Sequence, residues 1–277
     1  MTGKNWPVVL EYAESIRDGR KIACAELRQA VERFFNDLDN ADYDFDSTGP
    51  EFCIQIIERT ICHQQGERLD GKPLRGTPFL LEPFHKFIIY NLLGFKLAGT
   101  DIVRYHEALI FIPRKNIKTS FAAALAWALS LWYRRSGSKT YITSAALMQS
   151  LESFNFLDYN IRRMGEDDKD GGHFHIIDNN NEHSIEADLG DGSLFIRALA
   201  ANPDTQDSLN CNIAICDEIH AFKQPKQYNL FKEAMKAYTN KLLIGISTAG
   251  DNEQAFLGQR LKCSRKILNG TVKDEQY

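Results

Sequence analysis

Residues 106–120 read HEALIFIPRKNIKTS, an apolar run followed by a basic loop and then by Lys118 and Thr119. The run over 108–112 is apolar without interruption, as in strands that are buried on both faces of a sheet. After the loop, apolar residues recur with a helical period over 118–134. The stretch therefore predicts a strand, a polar loop and a helix whose first N–H groups face the loop, an arrangement that binds anions.

The side chains at the start of this helix fit a nucleoside triphosphate. A lysine ammonium reaches the β- and γ-phosphates, and a neighbouring hydroxyl ligates Mg2+. We expect Lys118 to take the first role and Thr119 the second. The same segment supplies the other predicted nucleotide-binding residues, which are Arg114, Lys115, Asn116, Ile117 and Ser120.

The loop departs from the usual G-x-x-x-x-G-K-[ST] pattern, because Ile112 and Ile117 occupy the two glycine positions. A β-branched residue resists positive φ, so we expect Ile117 to disfavour the loop's usual backbone and to crowd the phosphates. Taken alone, the segment also fits a capped helix that carries incidental basic residues.

Residues 211–220 read CNIAICDEIH, which predicts a second buried strand, over 211–217, that ends in two acids. Adjacent residues of an extended strand point to opposite faces, so the two acids can have different roles. We expect Asp217 to hold Mg2+ and Glu218 to activate the attacking water as a general base. The alternative for these two residues is a solvated strand end.

A third strand, over 241–247, ends in Ser247 and Thr248. Small hydroxylated side chains at this point are suited to sensing the γ-phosphate or the attacking water, and we expect them to couple hydrolysis to movement. Open α/β sheets bind ligands at the carboxyl ends of their strands. The three clusters are therefore expected to meet at one edge of the sheet.

Along the chain, residues 1–70 carry helical periodicity and predict a helical N-terminal appendage, with a loop over 40–50. Residues 71–268 alternate strands with helices, which predicts an α/β domain with a mostly parallel central sheet covered by helices on both faces. The charged stretch 269–277 is typical of a linker that leads to a further domain.

The composition is that of a globular protein, 43% hydrophobic and 25% charged with a net charge of −4, so no overall basic field indicates nucleic acid. The N-terminus lacks an apolar signal core and the most apolar helix is too short to span a bilayer, so we expect no membrane association. The six cysteines include no CxxC pair and are expected to be reduced. Neither the group Cys53, Cys62 and His63 nor the pair His173 and His175 has the spacing or ligand number of a known metal site.

Three segments together resemble the large terminase subunit of tailed bacteriophages, the ATP-driven motor that packages DNA into proheads. The loop 113–119, PRKNIKT, resembles the deviant Walker A loop common in that family, and 217–220, DEIH, resembles its Walker B end. Residues 247–250, STAG, are similar to its coupling motif. The resemblance covers most of residues 75–268 and implies a P-loop NTPase fold of the ASCE or RecA-like type.

The resemblance implies ATP and Mg2+ as cofactors, and DNA translocation into a procapsid as the function. The implied partners are double-stranded DNA, the portal protein, the small terminase subunit and further copies in a ring, in the cytoplasm of the infected bacterial host. The family often contacts adenine through a segment that is Pro83, Phe84 and His85 here, so Phe84 and His85 are predicted to bind the nucleotide. Since the family's nuclease domain would follow residue 277, ATP hydrolysis but not DNA cleavage is expected from this chain.

Motors of this kind often use an arginine to stabilise charge that develops on the γ-phosphate. Arg114 could act from within the loop and is predicted to be catalytic. Arg162, Arg163 and Arg197 are candidates to act on a neighbouring subunit, and a surface salt bridge is the alternative for each.

Two other functions fit parts of the sequence. A DExH helicase or related translocase also carries the DEIH box, but it needs a second RecA-like domain. A degenerate, non-catalytic P-loop assembly scaffold is suggested by Ile117, whereas Lys118, Thr119, Asp217 and Glu218 favour an active enzyme.

Overall fold

The computed structural model describes residues 3–201, 209–250 and 252–277. The helices and strands follow the order that the alternating pattern predicts, and most ends lie within three residues of the predicted ones. The helices are α1 (Trp6–Arg17), α2 (Ala25–Leu38), α3 (Thr48–Thr60), α4 (Pro83–Gly94), α5 (Lys118–Trp132), α6 (Leu147–Met164), α7 (Pro225–Ala234) and α8 (Phe256–Leu268). The strands are β1 (Tyr43–Phe45), β2 (Phe95–Leu97), β3 (Glu107–Phe111), β4 (Ser138–Ser144), β5 (His175–Asp178), β6 (His183–Asp188), β7 (Ser193–Ala200), β8 (Ile213–Cys216) and β9 (Leu242–Ser247).

The central sheet has seven strands in the order β3, β9, β8, β4, β7, β6, β5. The first five strands are parallel to one another, and β6 pairs antiparallel with both β7 and β5. The predicted α/β class with a mostly parallel sheet is thereby confirmed. Strand β9 lies between β3 and β8, so the three predicted clusters stand at the carboxyl ends of three adjacent strands.

Helices cover both faces of the sheet. One core contains α5, which is buried over almost its whole length, and is shared by α6 and the N-terminal helices. The other core lies under α7 and α8, on the opposite face of β8 and β9. Burial on both faces explains why these central strands read as continuous apolar runs.

The N-terminal helices share a core with the sheet domain. Val9 of α1, Phe34 of α2 and Ile54 of α3 belong to the same cluster as Tyr90 of α4 and Phe121 of α5. The division at residue 70 stays a prediction.

The predicted loop over 40–50 is wrong in part, because it contains β1, which pairs antiparallel with β2. In β1, Tyr43 and Phe45 alternate with Asp44, but three residues are too few for alternation to stand out among the turn-forming residues around them. The first turn of α3 also lies in this stretch.

Helix α7 ends at Ala234, although the helical pattern of the sequence over 226–239 predicts a longer helix. The chain turns there, and the N–H of Tyr238 donates to the carbonyl of Met235.

Residues 269–277, which the sequence suggests as a linker, pack against the domain. The N–H groups of His106 and Glu107 donate to the carbonyl of Gln276, at 2.8 and 3.1 Å. The guanidinium of Arg104 bonds to the Glu275 carboxylate at 2.9 Å. These contacts join the segment to the start of β3.

Candidate functional site

The loop between β3 and α5 has an unusual backbone. Lys115 and Ile117 have positive φ, at 65° and 55°. The Asn116 side chain stabilises the turn, because its Nδ2 donates to the carbonyls of Pro113 and Arg114 at 3.1 and 3.2 Å. The loop leads directly into α5 at Lys118, where the first N–H groups of the helix lack partners within the helix.

The expectation that Ile117 resists positive φ is wrong for this loop. Ile117 adopts φ 55° and ψ 30°, the left-handed conformation. Ile117 remains 47% exposed, so its side chain is not packed into the core. The loop keeps a backbone that glycine adopts freely, and an L-residue with a side chain pays about 1 to 2 kcal/mol for it.

The carboxylates follow β8, which ends at Cys216. The Asp217 N–H donates to the carbonyl of Thr143 on β4 at 2.7 Å, which continues the sheet pairing. Glu218 has φ 52°. The two acids are therefore separated by a left-handed turn rather than by alternation along an extended strand, as the sequence had suggested.

The turn after Glu218 packs closely on β9. A Cβ at Gly245 would lie 3.1 Å from the Ile219 side chain. Because Gly245 has no side chain, Ile219 can sit over β9, and it is buried there.

Side chains from the two segments meet at the edge of the sheet. The Thr119 hydroxyl donates to Asp217 Oδ2 at 3.1 Å, across 98 residues of sequence. Lys118 Nζ lies 3.6 Å from Glu218 Oε1. Lys118 is only 7% exposed, so its charge is largely removed from water and depends on this acid.

Asp217 is buried, at 2% exposure. Burial, with the nearby charge of Glu218 as the second cause, raises the pKa of Asp217 to about 6, and the Thr119 hydroxyl and Lys118 offset only part of this. Burial disfavours the charged form of this carboxylate, so binding of a cation or a proton there is favourable.

Ser247 and Thr248 lie at the end of β9, between the two loops. The Ser247 hydroxyl accepts from the N–H of His220 at 3.1 Å and donates to the carbonyl of Thr248 at 3.0 Å. Of the two predicted coupling residues, Ser247 thus contacts the turn that carries Glu218.

Several buried polar atoms at this edge have no hydrogen-bond partner within the part of the chain that the structure describes. They are Thr143 Oγ1, Ser144 Oγ, Glu218 Oε2 and Thr248 Oγ1. Buried polar groups are nearly always paired, with protein, water or a ligand. Together with the helix start, Lys118 and the Thr119–Asp217 pair, they fit a phosphate group and a hard cation with oxygen ligands.

The predicted nucleotide-binding residues Phe84 and His85 lie at the start of α4. The N–H of Glu82 donates to His85 Nδ1 at 3.2 Å, so the histidine closes a capping box. Its ring lies between Phe84 and Phe121, with centroids 3.8 and 4.5 Å away. Burial lowers the pKa of His85 to about 4. His85 is therefore neutral at pH 7 and abuts α5, and a contact with a base stays a prediction.

The candidate arginines have different surroundings. Arg114 in the loop is exposed. Arg162 pairs with Asp158 and Asp167, and Arg163 donates to the carbonyl of Thr60 at 2.8 Å. The roles of these three, and of Arg197 on β7, stay predictions.

In the described ranges, no group of three or more His, Cys, Asp or Glu side chains is arranged to hold a metal ion. His173 and His175 each bond to an acid, Glu166 at 2.8 Å and Asp168 at 2.6 Å. Over the same ranges, no helix is both long and apolar enough to cross a membrane.

Sequence reasoning did not assign a role to His220. Its imidazole Nδ1 lies 3.1 Å from Glu218 Oε2 and 3.3 Å from Ser247 Oγ. The only signal was its spacing, three residues after Asp217.

Comparison with known proteins gives one family. Residues 83–266, about two thirds of the chain, match the family described as the ATPase domain of the terminase large subunit. No curated protein sequence matches.

A solved bacteriophage large terminase is similar to this chain in fold. The HK97 bacteriophage large terminase has a TM-score of 0.58 and 23% identity, over 78% of this chain and 41% of that protein. This chain thus spans less than half the length of that relative. The large terminase ATPase domain of Thermus phage P74-26 has a TM-score of 0.42 and 14% identity, over 60% of this chain and 70% of that one.

A first prediction concerns the backbone of Ile117. The substitution Ile117→Gly should raise the free energy of unfolding by about 1 kcal/mol, because glycine adopts the left-handed conformation without strain. The matched control is Ile22→Gly, at an exposed position without positive φ, which should lower stability by about 0.5 to 1 kcal/mol. Chemical denaturation measures both, and equal losses in the two variants would contradict the strain at Ile117.

A second prediction concerns the charge of Asp217. Its folded pKa, about 6, lies above the ordinary value for an aspartate, so the native state binds the extra proton between about pH 4 and 6 and stability falls as pH rises through that window. At pH 8 without ligands, Asp217→Asn should therefore be more stable than the wild type by about 2 to 3 kcal/mol, and the difference should vanish near pH 4.

Urea denaturation at several pH values measures this difference. The exposed Asp42→Asn variant is the control and should follow the wild type at every pH. A difference for Asp217→Asn that stays constant with pH would show that a lost contact, not a buried charge, is responsible.

Proposed function

Because the chain belongs to the terminase large subunit family, through its ATPase domain, we propose that it is the ATP-hydrolysing motor domain that drives double-stranded DNA into a procapsid. The observation that carries the proposal is the meeting of Lys118 and Thr119 with Asp217 and Glu218 across the sheet edge. These are the side-chain types that phosphoryl-transfer sites need, at the edge where open α/β sheets bind ligands.

The phosphates of ATP bind at the start of α5. The unpaired N–H groups of the first turn and the helix dipole attract the negative charge. Lys118 is buried, and its Nζ lies 3.6 Å from Glu218 Oε1, which is long for an ion pair. The phosphates, which carry several negative charges, are therefore a stronger partner for this lysine. The remaining residues of this binding segment are Arg114, Lys115, Asn116, Ile117 and Ser120. Phe84 and His85 lie on the side where α4 meets α5.

Thr119 and Asp217 would hold Mg2+. Both contribute oxygen atoms, the ligands that Mg2+ prefers, and their direct bond at 3.1 Å already holds them together. The ion would neutralise charge on the phosphates. The ion would also stabilise the negative charge of Asp217, which burial disfavours, as the raised pKa of this acid indicates.

Glu218 is the general base. Its side chain is 24% exposed, which leaves it more accessible to a water molecule than the enclosed Asp217. As Lys118 turns to the phosphates, Glu218 orients the water and accepts its proton. Arg114, exposed in the loop, stabilises the charge that develops on the γ-phosphate. Ser247 contacts the Glu218 turn and bonds to the Thr248 carbonyl, and the two residues transmit hydrolysis to movement of the domain.

The proposed partners follow from the family. They are double-stranded DNA, the portal protein, the small terminase subunit and other copies of the chain in a ring, in the cytoplasm of the host. The helicase alternative is not favoured, because the family match is to terminases. The scaffold alternative rested on Ile117, whose backbone is compatible with the loop.

A third prediction tests this function. Wild-type chain should bind and hydrolyse ATP in the presence of Mg2+. Glu218→Gln should keep nucleotide affinity while turnover falls by about 10²-fold or more, because the general base is lost. Lys118→Ala should lose binding itself.

Steady-state phosphate release and fluorescent-nucleotide binding measure the two quantities. Glu186→Gln, an exposed glutamate on β6, is the matched control and should behave as the wild type. If wild-type chain fails to bind millimolar ATP, the proposed function is wrong. If Glu218→Gln turns over at the wild-type rate, Glu218 is not the base.

A further inference from the structure

His220 stands between the acid of one strand end and the hydroxyl of another. It belongs to a short 3-10 turn, Ile219–Ala221, that directly follows Glu218. Its backbone N–H donates to Ser247 Oγ at 3.1 Å. Its Nδ1 lies 3.1 Å from Glu218 Oε2 and 3.3 Å from Ser247 Oγ, within reach of both.

The imidazole is bonded to only one of these neighbours. Nδ1 has hydrogen-bond geometry toward Ser247, whereas Glu218 Oε2 has no hydrogen-bond partner within the described part of the chain. The 3.1 Å contact is therefore close but misaligned. A buried carboxylate oxygen without a donor is costly, and a small rotation of the neighbouring ring would supply one.

The other oxygen of Glu218 depends on Lys118. Lys118 Nζ lies 3.6 Å from Oε1. A triphosphate at the start of α5 carries several negative charges and competes for that lysine. When Lys118 is drawn away, Glu218 loses its cation, and Nδ1 of His220, 3.1 Å from Oε2, lies close enough to donate to it.

The chain after β9 fixes where the ring can lie. A Cβ at Gly250 would be 3.1 Å from Cβ of His220. A Cβ at Gly245 would likewise be 3.1 Å from the side chain of the neighbouring Ile219. Both glycines let the turn lie directly on β9, so a shift at Ser247 or Gly250 is transmitted to His220.

We propose that His220 is a positioning residue for Glu218, which exchanges its Nδ1 hydrogen bond from Ser247 to Glu218 when nucleotide binds and so links the general base to the end of β9. The inference rests on the proposed function, because it assumes that Glu218 acts in ATP hydrolysis. His220 then forms a physical link between the general base and the strand that ends in the coupling residues.

Substitution of His220 should separate turnover from binding. In His220→Ala, kcat should fall by about 10- to 100-fold, the usual loss when an orienting partner is removed, while the KM for ATP changes by less than about threefold. His220→Asn should recover part of the loss, since an amide N–H can replace the Nδ1 donor. Gly250→Ala should lower kcat in the same direction, because the new methyl group displaces His220.

Ser247 and His220 should not act independently. The double variant His220→Ala with Ser247→Ala should be no slower than the slower single variant, as for residues of one network. The matched control is His183→Ala. His183 also pairs with an acid, Asp178 at 2.7 Å, but it lies on β6, three strands from β8, and its loss should leave kcat unchanged.

A spectroscopic readout tests the exchange itself. In protein with 15N-labelled histidines, the Nδ1 resonance of His220 is identified by its loss in His220→Asn. It should shift in Ser247→Ala without nucleotide, and shift again in wild-type chain when a non-hydrolysable ATP analogue is added with Mg2+.

The outcomes separate the two proposals. If wild-type chain does not hydrolyse ATP, the proposed function fails. If wild-type chain hydrolyses ATP but His220→Ala keeps a kcat within about twofold of it, the role of His220 alone is wrong. His220→Asn as slow as His220→Ala, strictly additive losses with Ser247→Ala, or an Nδ1 resonance that the analogue does not move would also overturn it.

Discussion

The arrangement of this protein depends on the hydrogen bond between Thr119 and Asp217, 3.1 Å long and spanning 98 residues. It forms because the parallel order of β3, β9 and β8 brings the ends of distant segments to one edge. Near it lie a buried lysine and, within the described ranges, several hydroxyls that have no hydrogen-bond partner, while Asp217 itself is a buried acid with a raised pKa. Each is unfavourable alone, and the charged ligand that we propose would stabilise all of them.

The backbone at this edge is strained on both sides. Ile117 and Glu218, one before Lys118 and the other after Asp217, have positive φ without being glycine. Such conformations persist where the surroundings enforce them and concentrate at functional sites. In this chain Asn116 fixes the first turn, and the packing of Ile219 on Gly245 fixes the second. Both turns therefore present their polar residues to the same space.

Much of this could be predicted from the sequence, because buried parallel strands have continuous apolar runs and their polar ends must share an edge. The same reasoning predicts that Lys118, Thr119, Asp217 and Glu218 share this edge, and the structure brings them together there, while their roles stay predictions. The left-handed conformation of Ile117 could not be predicted, because the surroundings of this residue outweigh the local preference of a β-branched side chain. His220 and the pairing of β1 with β2 depend on contacts between distant residues, to which no periodicity points. The enclosure of His85 between two phenylalanines was hidden for the same reason.

We propose that the edge built by Thr119 and Asp217 is a magnesium–nucleotide site. A crystal structure of the chain with Mg2+ and a non-hydrolysable ATP analogue would test this proposal. We expect the triphosphate at the start of α5, the ion between the Thr119 hydroxyl and the Asp217 carboxylate, and Lys118 turned from Glu218 toward the phosphates. A nucleotide bound elsewhere, or an ion that touches neither Thr119 nor Asp217, would contradict it.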